Sequence, residues 1–269
     1  MSSAAITKPT LMQSLLGRNY KWWYIGLFTI KQNFNYFWDE IFTSFYRFVY
    51  LIGLITLGTH NNDNPSFVKY LLIGSVFYAC TESFIVWQLG EEIKSGKIIN
   101  VLLKPVNYIT YNAVIGLFKC VNVFFSYLPW MAILFFIYKP NLIEDIRNIW
   151  VFILFYLISW FIRMMFDFIF AFGAFWFTEY QGLSYLDYNG ASFLSGSLFP
   201  LVYLSNNPLL IYNPFAFTFY HPMQIYLGKY DFNQTLMVFA GGITWCIALY
   251  FLAKWVFKMG LKRNEAVGL

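Results

Sequence analysis

The sequence predicts an all-α polytopic membrane protein of six transmembrane helices, and three observations carry that prediction. Hydrophobic residues make up 59% of the chain and charged residues only 12%, where soluble domains carry about 25% charged residues. Apolar runs recur at the length needed to cross a bilayer. The connecting segments alternate between basic-rich and basic-poor, as the two sides of a membrane require. The 269 residues suffice for one membrane domain, 1–269, with no room for a second soluble domain of enzymatic size.

Residues 20–38 come first. Trp23, Leu27, Ile30, Phe34 and Phe37 recur on one side at helical spacing while Lys31, Gln32 and Asn35 lie away from it, which predicts a helix along the inner interface. The stretch Met1 to Leu16 lacks a basic region, an uninterrupted apolar core and a small-residue cleavage site, so no removable signal peptide is expected. A span takes roughly 20 mostly apolar residues to cross about 30 Å of hydrocarbon. Five runs pass that measure, at 41–59, 67–89, 113–138, 149–177 and 235–257, and a sixth at 183–204 is counted although Asp187 and Asn189 sit near its start. Between the last two, residues 205–228 are broken by Asn206-Asn207-Pro208, Asn213-Pro214 and His221-Pro222. Such backbone persists at membrane depth only where protein or a wet cavity shields it, which predicts an outer re-entrant hairpin.

Between the second and third spans, residues 91–105 form a short charged amphipathic segment. Glu91, Glu92, Lys94 and Lys97 supply exposed charge, Ile93, Ile98, Val101 and Leu102 an apolar face, and Pro105 ends the helix before the next span. Basic residues orient the chain. With both termini cytoplasmic, the inner segments hold Lys8, Arg18, Lys21, Lys31, Lys94, Lys97, Lys104, Lys254, Lys258, Lys262 and Arg263, against Lys69, Lys139, Arg147 and Lys229 outside.

Chemistry is scarce. His60 and His221 are far apart with no carboxylate cluster beside them, so a metal or histidine-based catalytic centre has little to build on. Cys80, Cys120 and Cys246 all fall within apolar runs and read as small core residues. Gly90 to Lys97 fails as a phosphate-binding loop, because its glycines are one residue too far apart and Ile98 stands where Ser or Thr would meet magnesium. The remaining polar candidates are charges inside the spans: Arg47, Glu82, Lys119, Arg163 and Asp167. Each costs at least about 2.5 kcal/mol in hydrocarbon and therefore faces protein, water or the interface. Arg163 and Asp167, four apart on one helix, can pair locally; Glu82 has no local basic partner and can meet Lys119 or Arg47 across helices.

Four stretches resemble ABC-2 type exporter permeases. Glu92-Ile93-Lys94-Ser95-Gly96-Lys97-Ile98 with Leu102-Leu103-Lys104-Pro105-Val106 is similar to their cytoplasmic coupling helix. Gly173-Ala174-Phe175-Trp176-Phe177-Thr178-Glu179 with Gly182-Leu183 resembles the end of their fourth span, and Phe193 through Pro200-Leu201 their fifth. Asn213-Pro214-Phe215-Ala216 to Pro222-Met223-Gln224-Ile225-Tyr226-Leu227-Gly228 resembles the outer hairpin. Ser205-Asn206-Asn207-Pro208 departs from the more apolar turn of related chains.

The resemblance implies a permease subunit in the bacterial inner membrane, itself not an enzyme and holding no cofactor. It would pair with a second permease, identical or paralogous, and dock on cytoplasmic ATPase subunits that bind ATP and magnesium. Membrane lipid is an expected partner and nucleic acid is not. Docking would fall to Glu91, Glu92, Ile93, Lys94, Gly96, Lys97, Ile98, Leu102 and Pro105. The translocation path would draw on Arg47, Glu82, Lys119, Arg163, Asp167, Pro200, Pro214 and His221. Two other classes fit a polytopic chain: an ion-driven secondary transporter, for which mid-membrane broken helices and a paired repeat are expected, and a non-transporting assembly subunit.

Overall fold

In hydrocarbon, backbone N–H and C=O groups find no water, so apolar runs of this length close their hydrogen bonds internally as helix. The computed structural model describes residues 20–61, 65–82, 85–103, 106–139, 149–177, 180–198, 201 and 207–266, and every element among them is helical. Helix α1 (Tyr20–Phe34) leads after a short turn into α2 (Phe37–Asn61). The helix expected over 20–38 therefore ends at Phe34, and Phe37 and Trp38 open α2. Helix α1 packs on α6 (Tyr108–Tyr138) through its small residues. Gly26, against the Phe118 ring, and Thr29 are buried, whereas Trp23, Leu27 and Phe34 remain exposed.

Helices α3 (Pro65–Thr81) and α4 (Ile85–Lys94) form one apolar stretch, Ser66–Lys94. A turn at 95–97 and the short α5 (Ile98–Leu102) follow. Helix α6 is capped by Asn107, whose side chain accepts from the Thr110 N–H, and begins at Tyr108, five residues before the sequence-based estimate of 113; it carries Pro129 internally. Helix α7 (Ile149–Phe172) closes in a 3-10 turn, Gly173–Phe175. Then come α8 (Tyr180–Leu194), α9 (Pro208–Ile211), a 3-10 turn at Pro214–Thr218, α10 (Tyr220–Tyr226) and α11 (Phe232–Ala266).

Among the described residues, four stretches are long and apolar enough to cross a membrane: Ser66–Lys94, Tyr108–Tyr138, Trp150–Phe175 and Phe232–Arg263. The protein is thus an all-α polytopic membrane protein. The expected run 41–59 lies inside the 25-residue α2, which carries Asp39, Glu40 and Arg47. The expected run 183–204 is not one continuous helix. Helix α8 has 15 residues and ends at Leu194, and Gly196, at φ 81°, turns the chain in a conformation that favours glycine. Fifteen residues rise about 22 Å, short of the roughly 30 Å hydrocarbon core.

Helix α7 is the centre of the molecule, packed against α4, α8, α10, α11 and the Pro214–Thr218 turn. Its Phe155, Ile162, Met165 and Phe168 are fully buried. A second apolar cluster joins α2, α3 and α6 through Leu51, Ile55, Leu72, Val123 and Leu134. Helix α11 shows the opposite pattern, with Leu236, Ile243, Ile247 and Phe251 exposed, a face suited to lipid. The segment 216–226 is buried throughout, so the interrupted stretch between the last two apolar runs is held against the bundle.

Candidate functional site

Charges from four helices converge in the bundle. Arg47 of α2 meets Glu82, at the end of α3, at 2.7 Å and donates to the Tyr127 hydroxyl at 3.1 Å. Arg163 of α7 lies 2.9 Å from Asp167, one turn on. It also grips Asp187 of α8 with both terminal nitrogens, at 2.8 and 2.5 Å. Planar, bidentate pairing of this kind is what a guanidinium does best. Glu82, Arg163, Asp167 and Asp187 are all buried, none above 4% exposed. Two guanidiniums thus face three carboxylates, and Glu82 Oε1 has no hydrogen-bond donor among the described residues.

A cavity of about 20 Å³, room for one water, lies among Glu82, Arg163, Asp167, Ser184 and Asp187. A second, of about 100 Å³, lies beside Arg47, Tyr78, Tyr127, Tyr188 and Ser192, where the Tyr78 hydroxyl and Ser192 Oγ are 3.3 Å apart. The Arg47–Glu82 pair ties α2 to the end of α3, and the Arg163–Asp187 pair ties α7 to α8.

Lys119 does not join it. Its ammonium donates to Gln88 Oε1 at 3.0 Å, Gln88 donates to Glu92 at 3.0 Å, and the Tyr108 hydroxyl donates to Glu92 at 3.3 Å. This second network ties α6 to the end of α4. The segment expected as one helix over 91–105 is accordingly a corner: Glu91, Glu92, Ile93 and Lys94 finish α4, Gly96 turns at φ 73°, and Ile98 and Leu102 bound α5. Ile93, Ile98 and Val101 are buried within the chain rather than offered outward, while Ile99, Leu102 and Leu103 are exposed. Glu91 accepts from the Tyr180 hydroxyl at 2.8 Å, and the Lys94 ammonium lies over the Tyr180 ring. Lys97 is exposed. Pro105 and Pro200 lie outside the described residues.

Around Pro214 the chain is pinned by Asn213, whose side chain accepts from the N–H groups of Phe215 and Ala216 and donates to the Leu194 carbonyl at 3.1 Å. Tyr220 N–H donates to the Ser195 carbonyl, and the Tyr70 hydroxyl to the Gly196 carbonyl. His221 is fully buried. Its Nε2 lies 3.0 Å from the Ile211 carbonyl, which can only accept, so Nε2 carries the proton and Nδ1 accepts from the Tyr230 hydroxyl at 2.8 Å. Burial pushes the imidazole down to about 4, and it is neutral at pH 7.

Of the expected path residues, the structure brings together Arg47 with Glu82 and Arg163 with Asp167, places Lys119 in the network beside the corner, and sets Pro214 and His221 in the interrupted stretch. Sequence reasoning missed Asp187, Gln88 and Tyr180. A buried aspartate within an otherwise apolar run is itself a signal for an arginine partner; nothing comparable marks Gln88 or Tyr180. Among the described residues no group of three or more His, Cys, Asp or Glu could hold a metal ion.

A family model described as "ABC-2 family transporter protein" matches residues 41–268. No curated protein and no solved structure matches the chain.

Proposed function

The chain belongs to the ABC-2 family of transporter proteins, and from that membership we propose how this membrane permease subunit is driven and what its polar elements do. It is a non-catalytic transport subunit, and permeases of this kind work with an ATPase. The corner formed by the end of α4, the Gly96 turn and α5 docks on the cytoplasmic ATPase and transmits its closure to the bundle. The observation that carries this reading is the corner's position and exposure. It follows directly on the end of α4 at Lys94 and leaves Glu91, Lys94, Lys97, Ile99, Leu102 and Leu103 at the surface.

Movement of the corner reaches the interior through the Lys119–Gln88–Glu92 network. The Arg47–Glu82 and Arg163–Asp167–Asp187 pairs then line the route between two permease subunits. The arrangement is six spans, the four apolar stretches together with α2 and the α8 region, both termini in the cytoplasm of a bacterial cell, and the segment 205–228 as an outer hairpin at the exit. The excess of basic residues on one set of segments supports this orientation. Reconstitution with and without a candidate ATPase tests it. Flux that requires ATP and the ATPase is expected; flux driven by an ion gradient alone, or none with any ATPase that co-purifies, overturns it.

A further inference from the structure

Helices α3, α6 and α7 enclose a groove of about 740 Å³ on the flank of the bundle, lined among others by Val76, Phe77, Val121, Phe124, Met131 and Phe152. Its lining falls at 73–80, 117–135 and 152–156, within three of the membrane-crossing stretches, so hydrocarbon is the medium it opens to. The rim residues Leu117, Val121, Phe124 and Leu128 are all exposed. The two tyrosines in the wall turn their hydroxyls away. Tyr156 donates to the Cys80 carbonyl at 2.8 Å, and Tyr127 is engaged by Arg47 at 3.1 Å on the far side. Phe77 packs against both Phe152 and Tyr156, with ring centroids 4.8 and 5.7 Å apart, which stiffens the wall.

We propose that this groove holds one acyl chain of a membrane phospholipid as a resident ligand. The absence of an unengaged polar group among its described lining residues suits an alkyl chain and rejects a headgroup or a polar substrate portion. A flexible alkyl chain fits a groove of about 740 Å³, a size within the ordinary range of ligand pockets. Helices in lipid gain nothing from burial against water, so a gap of this size is closed by whatever makes the most dispersion contacts with its walls. This inference rests on the membrane setting and not on transport.

The test uses the full chain in nanodiscs of phosphatidylethanolamine and phosphatidylglycerol, with a phospholipid bearing a photoreactive diazirine in mid-chain, and maps the crosslinks by mass spectrometry. Groove peptides from 73–80 and 117–128 are expected to label at least fivefold more than the exposed face of α11 around Ile243 and Ile247. Val121→Trp, which fills the groove from its rim, should cut groove labelling at least fivefold and leave α11 labelling unchanged; Leu128→Trp serves as a second filling variant should the first misfold. Equal labelling of the two faces, or groove labelling indifferent to both tryptophans, overturns the proposal. So does peptide crosslinking of the groove to residues 1–19 or to a second copy, which would identify a protein occupant.

Discussion

Arg163→Met is the most informative single change to the polar centre. It removes the counter-ion of Asp167 and Asp187, which are 1% and 2% exposed, and breaking a buried pair costs about 3–5 kcal/mol. Polar groups of an unfolded chain in a membrane also find partners, which favours the lower end of that range. At roughly 2–4 °C per kcal/mol, a loss near 3 kcal/mol lowers Tm by about 10 °C. Asp187→Asn should cost less, about 1–3 kcal/mol, because Arg163 keeps Asp167 at 2.9 Å and an amide oxygen still accepts one bond. The double variant Arg163→Met with Asp187→Asn removes a charge that the single arginine change leaves stranded. It should therefore be more stable than the sum of the two losses by about 1–3 kcal/mol. Thermal unfolding of all four proteins in one detergent, with size-exclusion profiles as a check on assembly, measures the cycle. Strictly additive losses would refute the reasoning that the pair is coupled.

Replacing Leu102 and Leu103 by aspartate, on the exposed part of the corner, should abolish substrate-stimulated ATPase activity in the assembled transporter while shifting Tm by less than about 2 °C; retained stimulation would remove the corner from coupling. With the native cysteines replaced, a cysteine at Ser95 should react with an impermeant maleimide only from the cytoplasmic side and one at Asn207 only from the outside, and the reverse pattern would invert the topology. His221, held near pKa 4 against 6.5 in the unfolded chain, binds fewer protons folded than unfolded between those values. Its contribution to stability is complete above pH 6.5, falls as pH drops toward 4, and amounts to at most about 3 kcal/mol. Tm followed from pH 7 to 4.5 should decline less steeply in His221→Gln than in the native protein, and equal slopes would count against the buried neutral imidazole.

Apolar length was legible because it is a property of consecutive residues: the expected runs 67–89, 113–138 and 235–257 sit within membrane-crossing stretches of the structure, and the expected run 149–177 overlaps the stretch Trp150–Phe175, overrunning it by one residue at its start and two at its end. The local i,i+4 pairing of Arg163 with Asp167 was readable for the same reason. Where the reading slipped, competing local features lay side by side. The sixth run carried enough apolar residues to pass as a span, yet its Ser195-Gly196-Ser197 turn ends α8. In the corner, Ile93 and Ile98 looked like outward anchors because amphipathic spacing says which residues share a face, and nothing about whether that face meets its own bundle or a partner.

What the sequence determined by itself is therefore the class of molecule: an apolar, helical, membrane-crossing chain in which four stretches resemble ABC-2 type permeases. Hydropathy, helix periodicity and basic-residue bias are sums over neighbours in the chain, and they need no third dimension. Tertiary structure alone decided that Arg47 faces Glu82, 35 positions away, that Asp187 shares Arg163 with Asp167, that Lys119 belongs to the corner's network, and that three helices leave a groove between them. Those facts depend on which helix faces pack together. In lipid that choice is made by shape and by the need to neutralise buried charge, and many chains with the same apolar periodicity would satisfy it differently.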